Sequence, residues 1–246
     1  MNKISIVIPV YNEQPTIERI IGVVRAVNIH KEIIVVDDGS SDGTRELILE
    51  KYSAMPGLKL LFHEKNTGKG SAIRTGIAQA TGDILIIQDA DLEYDPQDFF
   101  PILKKFEDKK IDVVYGTRFH GVSWLDFIKK WVQNRFFGAH HEIKSFHLFF
   151  GIQLLNLLAN VLYDAKITDE ATCYKAFRRE VLKKIPLKCI GFEFCPEITA
   201  KVRKAGYKIH EVPISYHPRS AMEGKKLNWR HGIEAIWTLI KYRFTD

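Results

Sequence analysis

The sequence predicts an α/β fold in which a mostly parallel central sheet is flanked by helices. Over roughly the first hundred residues, short apolar runs alternate with segments of helical pattern, as is typical of parallel strands joined by right-handed crossovers. The chain has 246 residues, of which 46% are hydrophobic, so it can bury a full core. From these two observations we expect a single domain over residues 1–246.

The predicted strands are short runs rich in β-branched and other apolar residues, and the first four cover residues 4–8, 32–36, 58–62 and 84–87. Helices are predicted between them at 16–26, from Thr44 onward and at 71–80. Four successive apolar residues at 84–87 indicate a strand that is buried on both faces. A fifth strand is predicted to begin at Asp112 and to end at Arg118.

Polar loops follow three of these strands, at residues 9–13, 37–42 and 89–93. In a parallel sheet these loops lie along one edge, which is where such sheets bind ligands. Asp89 and Asp91 are two residues apart, so in an extended segment both side chains point the same way and Ala90 is turned aside. Carboxylate oxygens in this arrangement suit Mg²⁺ or Mn²⁺ carrying a diphosphate. An isolated Asp-x-Asp motif is more often a helix cap, and the other motifs favour the metal site.

The net charge of +6 and the pI of about 9.1 indicate an anionic partner, such as a nucleotide diphosphate, a lipid phosphate, an acidic membrane surface or nucleic acid. Nucleic acid is disfavoured because the basic residues are dispersed and no base-stacking motif accompanies them. The three cysteines have no metal-binding spacing, so a reducing cytoplasm is the simpler expectation. The amino-terminal residues lead directly into a strand and do not have the pattern of a secretion signal.

Four motifs occur in order along the first part of the chain: Ile-Pro-Val-Tyr-Asn-Glu (8–13), Val-Val-Asp-Asp-Gly-Ser-Ser-Asp-Gly-Thr (35–44), Asn-Thr-Gly-Lys-Gly (66–70) and Asp-Ala-Asp (89–91). Each is weak alone, and together they form a strong signal. The combination resembles the family-2 glycosyltransferases, which have a nucleotide-sugar-binding fold of the glycosyltransferase A type. A phosphorelay receiver also has an acidic pair like Asp37 and Asp38, but it has about half this length and no use for Asp-Ala-Asp.

The resemblance implies a role for each motif residue. Pro9, Tyr11, Glu13 and Asp38 would hold the nucleoside, with Asp38 and Ala90 close to the base and ribose. Asp89 and Asp91 would face the diphosphate through Mg²⁺ or Mn²⁺, and Glu93 would add a further ligand. The alternatives are a half-buried loop aromatic for Tyr11 and a helix-capping charge for Glu13.

The second half of the chain resembles the dolichyl-phosphate mannose synthase branch of this family and its bacterial polyprenyl-phosphate relatives. The matching segments are 112–118, 168–182, 191–197, 212–219 and 223–229. The resemblance implies inverting, metal-dependent transfer of a hexose from a nucleotide diphosphate sugar to a polyprenyl phosphate, with mannose favoured and glucose next. We expect residues 1–118 to form the nucleotide-sugar-binding half and 167–246 the acceptor-side half.

The acceptor decides which catalytic groups are needed. A phosphate oxygen is already ionised at neutral pH and needs cations to hold it against the departing diphosphate, whereas an alcohol needs a general base. For the phosphate we expect Arg118, Arg219 and Lys226 to act, with Lys225 adjacent. For a hydroxyl acceptor in cell-envelope polysaccharide synthesis, Asp169 or Glu193 would be the base. A catalytically idle, membrane-peripheral nucleotide-sugar-binding module is the remaining alternative.

Residues 119–166 depart from the family pattern, and we expect an amphipathic insertion at the cytoplasmic membrane surface. The apolar stretch 146–163 is marginal as a membrane span, which needs about 20 apolar residues, and an interfacial helix fits better. Five nearby residues support the interfacial helix: Trp124, Lys129, Lys130, Trp131 and Arg135. A core helix or a dimer surface is the alternative.

Gly151-Ile152-Gln153 replaces the Gly-Asn-basic triplet of the relatives, and Lys144 could substitute for its basic residue. His140 and His141 are not expected to bind a metal, since adjacent side chains on a helix diverge.

Overall fold

The computed structural model of the chain describes residues 3–119, 146–219 and 229–245. The aromatic and basic residues predicted to form a membrane interface between 124 and 135, the pair His140 and His141, and Lys144 lie outside these ranges.

A seven-stranded sheet forms the centre of the described structure, in the order β3-β2-β1-β4-β6-β5-β7. The strands are β1 (Ile4–Val10), β2 (Lys31–Asp37), β3 (Leu58–Phe62), β4 (Ile84–Ile87), β5 (Val113–Thr117), β6 (Lys175–Arg178) and β7 (Ile209–Pro213). The first four strands are mutually parallel where they pair, and β5 is parallel to β7. Only β6 runs against its neighbours β4 and β5 within this sheet. The predicted mostly parallel α/β architecture is confirmed.

The described helices are α1 (Gln14–Ala26), α2 (Thr44–Tyr52), α3 (Lys69–Gln79), α4 (Phe99–Lys105), α5 (Phe146–Tyr163), α6 (Arg179–Lys184), α7 (Phe194–Lys204) and α8 (Trp229–Phe244). Helices α1 and α3 each begin two residues earlier than the pattern predicts. Pro15 lies in the first turn of α1, where its fixed φ suits a helix and its missing N–H costs nothing. The apolar spacing used to predict these helices reports the buried face and not the first polar turn.

The core is built on strands that are buried from both sides. All seven residues of β1 and all four of β4 are buried, as expected for central strands covered by helices on both faces. Helix α1 contributes Ile17, Ile20, Ile21 and Val24, whose spacing places them on one face. This packing fixes the carboxyl ends of β1, β2 and β4 side by side.

Strand β6 is not among the predicted strands, and its four residues, Lys-Ala-Phe-Arg, are charged at both ends. Lys175 is nevertheless fully buried. Its Nζ donates to the Glu170 carbonyl at 2.8 Å and lies 4.0 Å from the centre of the Tyr115 ring. These contacts replace the water that a lysine ammonium loses on burial, so a charged residue can occupy a central strand.

Helix α5 has one buried face, which includes Leu155, Asn156 and Ala159, and one exposed apolar face. Asn156 donates to the Thr168 carbonyl at 2.6 Å and accepts from the Glu170 N–H at 2.7 Å, so the polar interruption holds the segment that follows the helix. One side of α5 is therefore part of the core, as the core-helix alternative predicts, while the other side is exposed. No helix among the described residues combines the length and hydropathy required to cross a bilayer.

Candidate active site

The three predicted polar loops meet at one edge of the sheet. The Asp38 N–H donates to the Val10 carbonyl at 2.8 Å, and the Gln88 N–H donates to the Val7 carbonyl at 2.9 Å. Asn12 joins the first two loops, since its N–H donates to Ser40 Oγ at 2.9 Å and its Oδ1 accepts from the Ser41 N–H at 2.8 Å. Asn12 adopts φ 49°, a left-handed conformation that asparagine tolerates better than most residues.

The residues predicted to hold the nucleoside differ in how accessible they are. Pro9 lies within β1 and is buried, Ala90 is buried beside the end of β4, and Tyr11 is half-buried in the first loop. Glu13 is 7% exposed and stands at the N-cap position of α1. Its carboxylate accepts from Thr16 Oγ1 at 2.9 Å but makes no side-chain capping bond to the helix backbone. The nucleoside-binding role of these residues stays a prediction.

Asp38 holds the 66–70 loop in place. Its carboxylate accepts hydrogen bonds from the Thr67 N–H at 3.0 Å, from Thr67 Oγ1 at 2.7 Å and from the Gly68 N–H at 2.7 Å. It also lies 2.7 Å from His63 Nδ1, and its side chain is 3% exposed. These contacts use both of its oxygens, so Asp38 shapes the site by fixing the loop that begins α3.

Asp89 and Asp91 are brought together with two cations from distant segments. Lys69 Nζ lies 2.6 Å from Asp89 Oδ1, and Arg219 Nη2 lies 3.3 Å from Asp91 Oδ2. Leu92 adopts φ 63°, and this turn lets the Glu93 N–H donate to Asp91 Oδ1 at 3.1 Å. A left-handed residue without a glycine costs about 1–2 kcal/mol, which is strain of the kind found at functional sites.

The electrostatics of Asp91 favour a further positive charge. Burial, followed by the negative charges of Asp89 and Glu93, raises the pKa of Asp91 to about 7. A divalent cation would offset this accumulation of negative charge, and two carboxylates with substrate phosphates are a usual ligand set for Mg²⁺. Asp89 and Asp91 therefore fit the predicted Mg²⁺ or Mn²⁺.

Glu93 is engaged by the segment that carries Arg219. Its Oε1 accepts from the Arg219 N–H at 2.8 Å, its Oε2 accepts from Tyr216 Oη at 2.9 Å, and its carbonyl accepts from the His217 N–H at 2.8 Å. Within residues 3–119, 146–219 and 229–245, no group of three acidic, histidine or cysteine side chains has metal-binding geometry. Glu93 thus anchors the segment that carries Arg219, and the metal-ligand roles of Asp89, Asp91 and Glu93 stay predictions.

Arg219 connects Glu13, which follows β1, with Asp91, which follows β4. Its Nη1 lies 3.0 Å from Glu13 Oε2 and its Nη2 lies 3.2 Å from Glu13 Oε1, in addition to the contact with Asp91. This planar two-pronged pairing is the geometry that arginine makes and lysine does not. Arg219 therefore lies beside Asp91, and its predicted role at the diphosphate stays a prediction. Lys226 lies outside the described residues.

Arg118 is held by Asp169. The Arg118 N–H and Nε donate to Asp169 Oδ2 at 3.0 and 2.7 Å, and Nη2 donates to Oδ1 at 2.7 Å. The guanidinium also stacks over the Tyr216 ring at 4.8 Å. Burial alone would lower the pKa of Arg118. The negative charge of Asp169 and the other nearby groups nevertheless raise this pKa well above its ordinary value, so the guanidinium stays cationic. One edge of Arg118 is therefore committed to Asp169, which is itself fully buried.

The two carboxylates named as bases for a hydroxyl acceptor are both engaged. Asp169 binds Arg118 as described, and its N–H donates to Glu211 Oε1 at 3.2 Å. Glu193 accepts from the Ile190 N–H at 2.6 Å and from the Gly191 N–H at 2.8 Å. An oxygen that already accepts a hydrogen bond from a charged or backbone donor has to give up that bond before it can take a proton from an acceptor hydroxyl.

Lys69 is the site residue that sequence reasoning missed. It lies between two glycines that pack closely on the 190–191 turn: a Cβ on Gly68 would lie 2.5 Å from the Ile190 carbonyl oxygen, and one on Gly70 would lie 2.8 Å from the Gly191 oxygen. The signal in the sequence was the Gly-Lys-Gly pattern. Glycines on both sides of a lysine indicate that another segment packs closely against the backbone there, which fixes the direction of the lysine side chain.

The sequence of the chain is similar to those of known glycosyltransferases. The sequence matches glycosyl transferase family 2 over residues 5–186. It is 30% identical over 230 residues to a dolichol-phosphate mannosyltransferase of Pyrococcus furiosus, covering 91% of this chain and 59% of the relative. It is 28% identical over 258 residues to a dolichyl-phosphate beta-glucosyltransferase of Dictyostelium discoideum, covering 98% of this chain and 74% of the relative.

A third relative is a dodecaprenyl-phosphate galacturonate synthase of Rhizobium johnstonii, which is 27% identical over 223 residues, with 88% of this chain and 60% of the relative covered. The chain therefore spans about six tenths of the length of two of these three relatives.

Among solved structures, the fold resembles glucosyl-3-phosphoglycerate synthase of Mycobacterium tuberculosis, determined with Mn²⁺, uridine diphosphate and phosphoglyceric acid. The TM-score is 0.69 at 20% identity, with 100% of this chain and 80% of that protein covered. This likeness supports the predicted glycosyltransferase A-type fold. The match to the family model over residues 5–186 shows that the chain belongs to glycosyl transferase family 2.

Proposed function

We propose that the chain transfers a hexose, with inversion, from a nucleotide diphosphate sugar to a polyprenyl phosphate. The observation that carries this proposal is the charge arrangement beside the Asp-Ala-Asp motif. Arg219 and Lys69 supply cations there, whereas the two candidate bases, Asp169 and Glu193, are committed to other partners. An ionised phosphate acceptor needs cations and no base, so it fits this arrangement better than a hydroxyl acceptor does.

On the donor side, Asp89 and Asp91 would hold Mg²⁺ or Mn²⁺, which supplies positive charge to the diphosphate. Pro9 near the end of β1 and Tyr11, Glu13, Asp38 and Ala90 in the adjoining loops would enclose the nucleoside. The loop contacts made by Asn12 and Asp38 preorganise these elements, so little order has to be gained when the nucleotide binds.

On the acceptor side, Arg118 and Arg219 would orient the phosphate oxygens toward the anomeric carbon. The Tyr216 hydroxyl and the Arg219 N–H both donate to the Glu93 carboxylate, and these two hydrogen bonds hold the segment that carries Arg219 in place. Lys226, which follows Arg219 along the chain, would add a further cation. The sugars named for the three relatives are mannose, glucose and galacturonate, and mannose is our first choice, with glucose next.

The acceptor is a lipid, so we propose that the protein lies on the cytoplasmic face of a membrane, and helix α8 offers a suitable surface. Its exposed apolar residues recur at helical spacing along one face: Trp229, Ile233, Trp237, Ile240 and Phe244. Helix α5 packs beside it, and Tyr163 Oη donates to the Leu239 carbonyl between the two helices. Exposed Lys241 and Arg243 complement anionic headgroups, and tryptophan favours the bilayer interface.

The reaction is tested by incubating the purified protein with Mg²⁺, polyprenyl phosphate and a panel of radiolabelled nucleotide sugars. We expect label from one sugar to enter the organic phase in an acid-labile phosphodiester. Dephosphorylated polyprenol is the matched control acceptor and should take up no label. Transfer to the alcohol as well, or label only in a water-soluble polysaccharide, would favour the hydroxyl-acceptor alternative, and no transfer with intact nucleotide binding would favour the idle module.

A further inference from the structure

The two carboxylates of the Asp-Ala-Asp motif do not have the same kind of cation beside them. Asp91 faces Arg219, which also binds Glu13 and is carried by a segment far along the chain. Asp89 faces Lys69. Lys69 is the first residue of α3 and belongs to the Asn-Thr-Gly-Lys-Gly motif at 66–70. The function proposed above uses Lys69 only as one of the cations beside the motif and does not say how it acts on the metal or the donor.

The backbone around Lys69 is held more rigidly than a surface lysine requires. The N–H groups of Gly70 and Ser71 donate to the Gly191 and Ile190 carbonyls at 3.0 and 2.9 Å, so the first turn of α3 is already capped. The Lys69 side chain is 24% exposed, and its Nζ lies 5.7 Å from the centre of the Phe192 ring. Fixed backbone and an aromatic wall restrict the ammonium to the neighbourhood of Asp89.

We infer that Lys69 is a built-in counter-ion of the metal site that competes with the divalent cation for Asp89 and then binds the diphosphate of the donor. An ammonium 2.6 Å from a carboxylate oxygen occupies a position that a metal ion would need, so metal binding must move it. A displaced ammonium in a partly buried site requires a new anion, and the diphosphate brings two negative phosphates to the same edge of the sheet.

This arrangement couples the two ligands in a way that can be measured. Without nucleotide, Lys69 should weaken metal binding, because the cation has to displace it. With nucleotide, Lys69 should strengthen binding, because it gains a charge-assisted contact with the diphosphate. Removal of the charge should therefore shift the two affinities in opposite directions, whereas loss of a purely structural contact would weaken both.

The test uses Mn²⁺ titrations followed by electron paramagnetic resonance, first with the protein alone and then with GDP or UDP. In Lys69→Met we expect Mn²⁺ alone to bind more tightly by about tenfold and the better nucleoside diphosphate to bind more weakly by about tenfold to a hundredfold, the range of one charge-assisted contact. Lys69→Gln, which keeps a hydrogen-bond donor for Asp89 but no charge, should show the same opposite shifts. Lys69→Arg should leave the Mn²⁺ affinity close to that of the wild type.

Lys65→Met removes an exposed lysine from the same loop and is the matched control, for which neither affinity should change. Unchanged or weaker Mn²⁺ binding in both neutral Lys69 variants, with a native melting temperature in either, would overturn the inference. The inference rests on the proposed nucleotide-sugar site, but the Mn²⁺ titration without nucleotide reports on Asp89 and Lys69 whatever the acceptor is. Failure of wild type to bind GDP and UDP would instead overturn the proposed donor class and the second role of Lys69 with it.

Discussion

The pair formed by Arg118 and Asp169 gives the prediction that best separates the phosphate acceptor from a hydroxyl acceptor. Asp169 accepts three hydrogen bonds from Arg118, and the exposed fractions of the two side chains are 11% and 0%. If this carboxylate is a structural counter-ion, Asp169→Asn leaves a buried guanidinium without a matching charge. If it is a catalytic base, the same change removes proton transfer and little stability.

The expected magnitude follows from the burial of the pair. Loss of one partner of a buried ion pair costs about 3–5 kcal/mol, because the remaining charge is uncompensated. Asparagine keeps one acceptor oxygen, so we expect Asp169→Asn to lower the free energy of unfolding by about 3 kcal/mol, the lower end of that range. Turnover should fall as well, because Arg118 loses its fixed orientation.

The assay is equilibrium unfolding in urea, with the m-value checked against the wild type so that a change in midpoint reports stability alone. The double variant Arg118→Met, Asp169→Asn completes a thermodynamic cycle and should be more stable than the sum of the single changes predicts. Glu180→Gln is the matched control: it breaks the exposed pair with Lys183, whose side chains are 67% and 55% exposed, and the midpoint should not move. An Asp169→Asn protein that is as stable as the wild type and catalytically dead would refute the reasoning and identify Asp169 as a base.

Three further predictions concern the metal, the core and the membrane. Asp91→Asn should reduce turnover by about a hundredfold or more while the fold is retained, because the metal supplies several kcal/mol of charge stabilisation; full activity of this variant, or of the wild type in excess chelator, would contradict it. Burial raises the pKa of Glu170 to about 7 from 4.5, so the folded state holds its proton more tightly. Glu170 therefore contributes most to the free energy of unfolding below pH 4.5, and this contribution should fall by on the order of 3 kcal/mol as the pH rises through 7. Denaturation curves of Glu170→Gln, measured over the same pH range, should lack this fall. Trp237→Glu on α8 should weaken binding to anionic vesicles in flotation assays, whereas Leu49→Glu, at an exposed apolar position on α2, should not.

The sequence by itself determined the parallel half of the fold and the edge at which the site lies. Buried strands such as 84–87 carry their signal in their own residues, since a strand covered on both faces must be apolar throughout. The rule that parallel strands align their carboxyl ends then brings the loops at 9–13, 37–42 and 89–93 together without knowledge of any side-chain contact.

Only the tertiary structure decided which charges meet. Arg219 and Glu13 are separated by 206 positions, and Arg118 and Asp169 by 51, so no local pattern records either pair. The same holds for Lys69 and Asp89, and for Lys175, whose burial in β6 depends on the Glu170 carbonyl and the Tyr115 ring. A charge pair is selected by loop placement and by desolvation, which are properties of the packed molecule, whereas the apolar period of a strand is a property of the chain. For that reason the Asp-Ala-Asp motif could be recognised in the sequence, while the contacts made by Glu93, Lys69 and Asp169 required the fold.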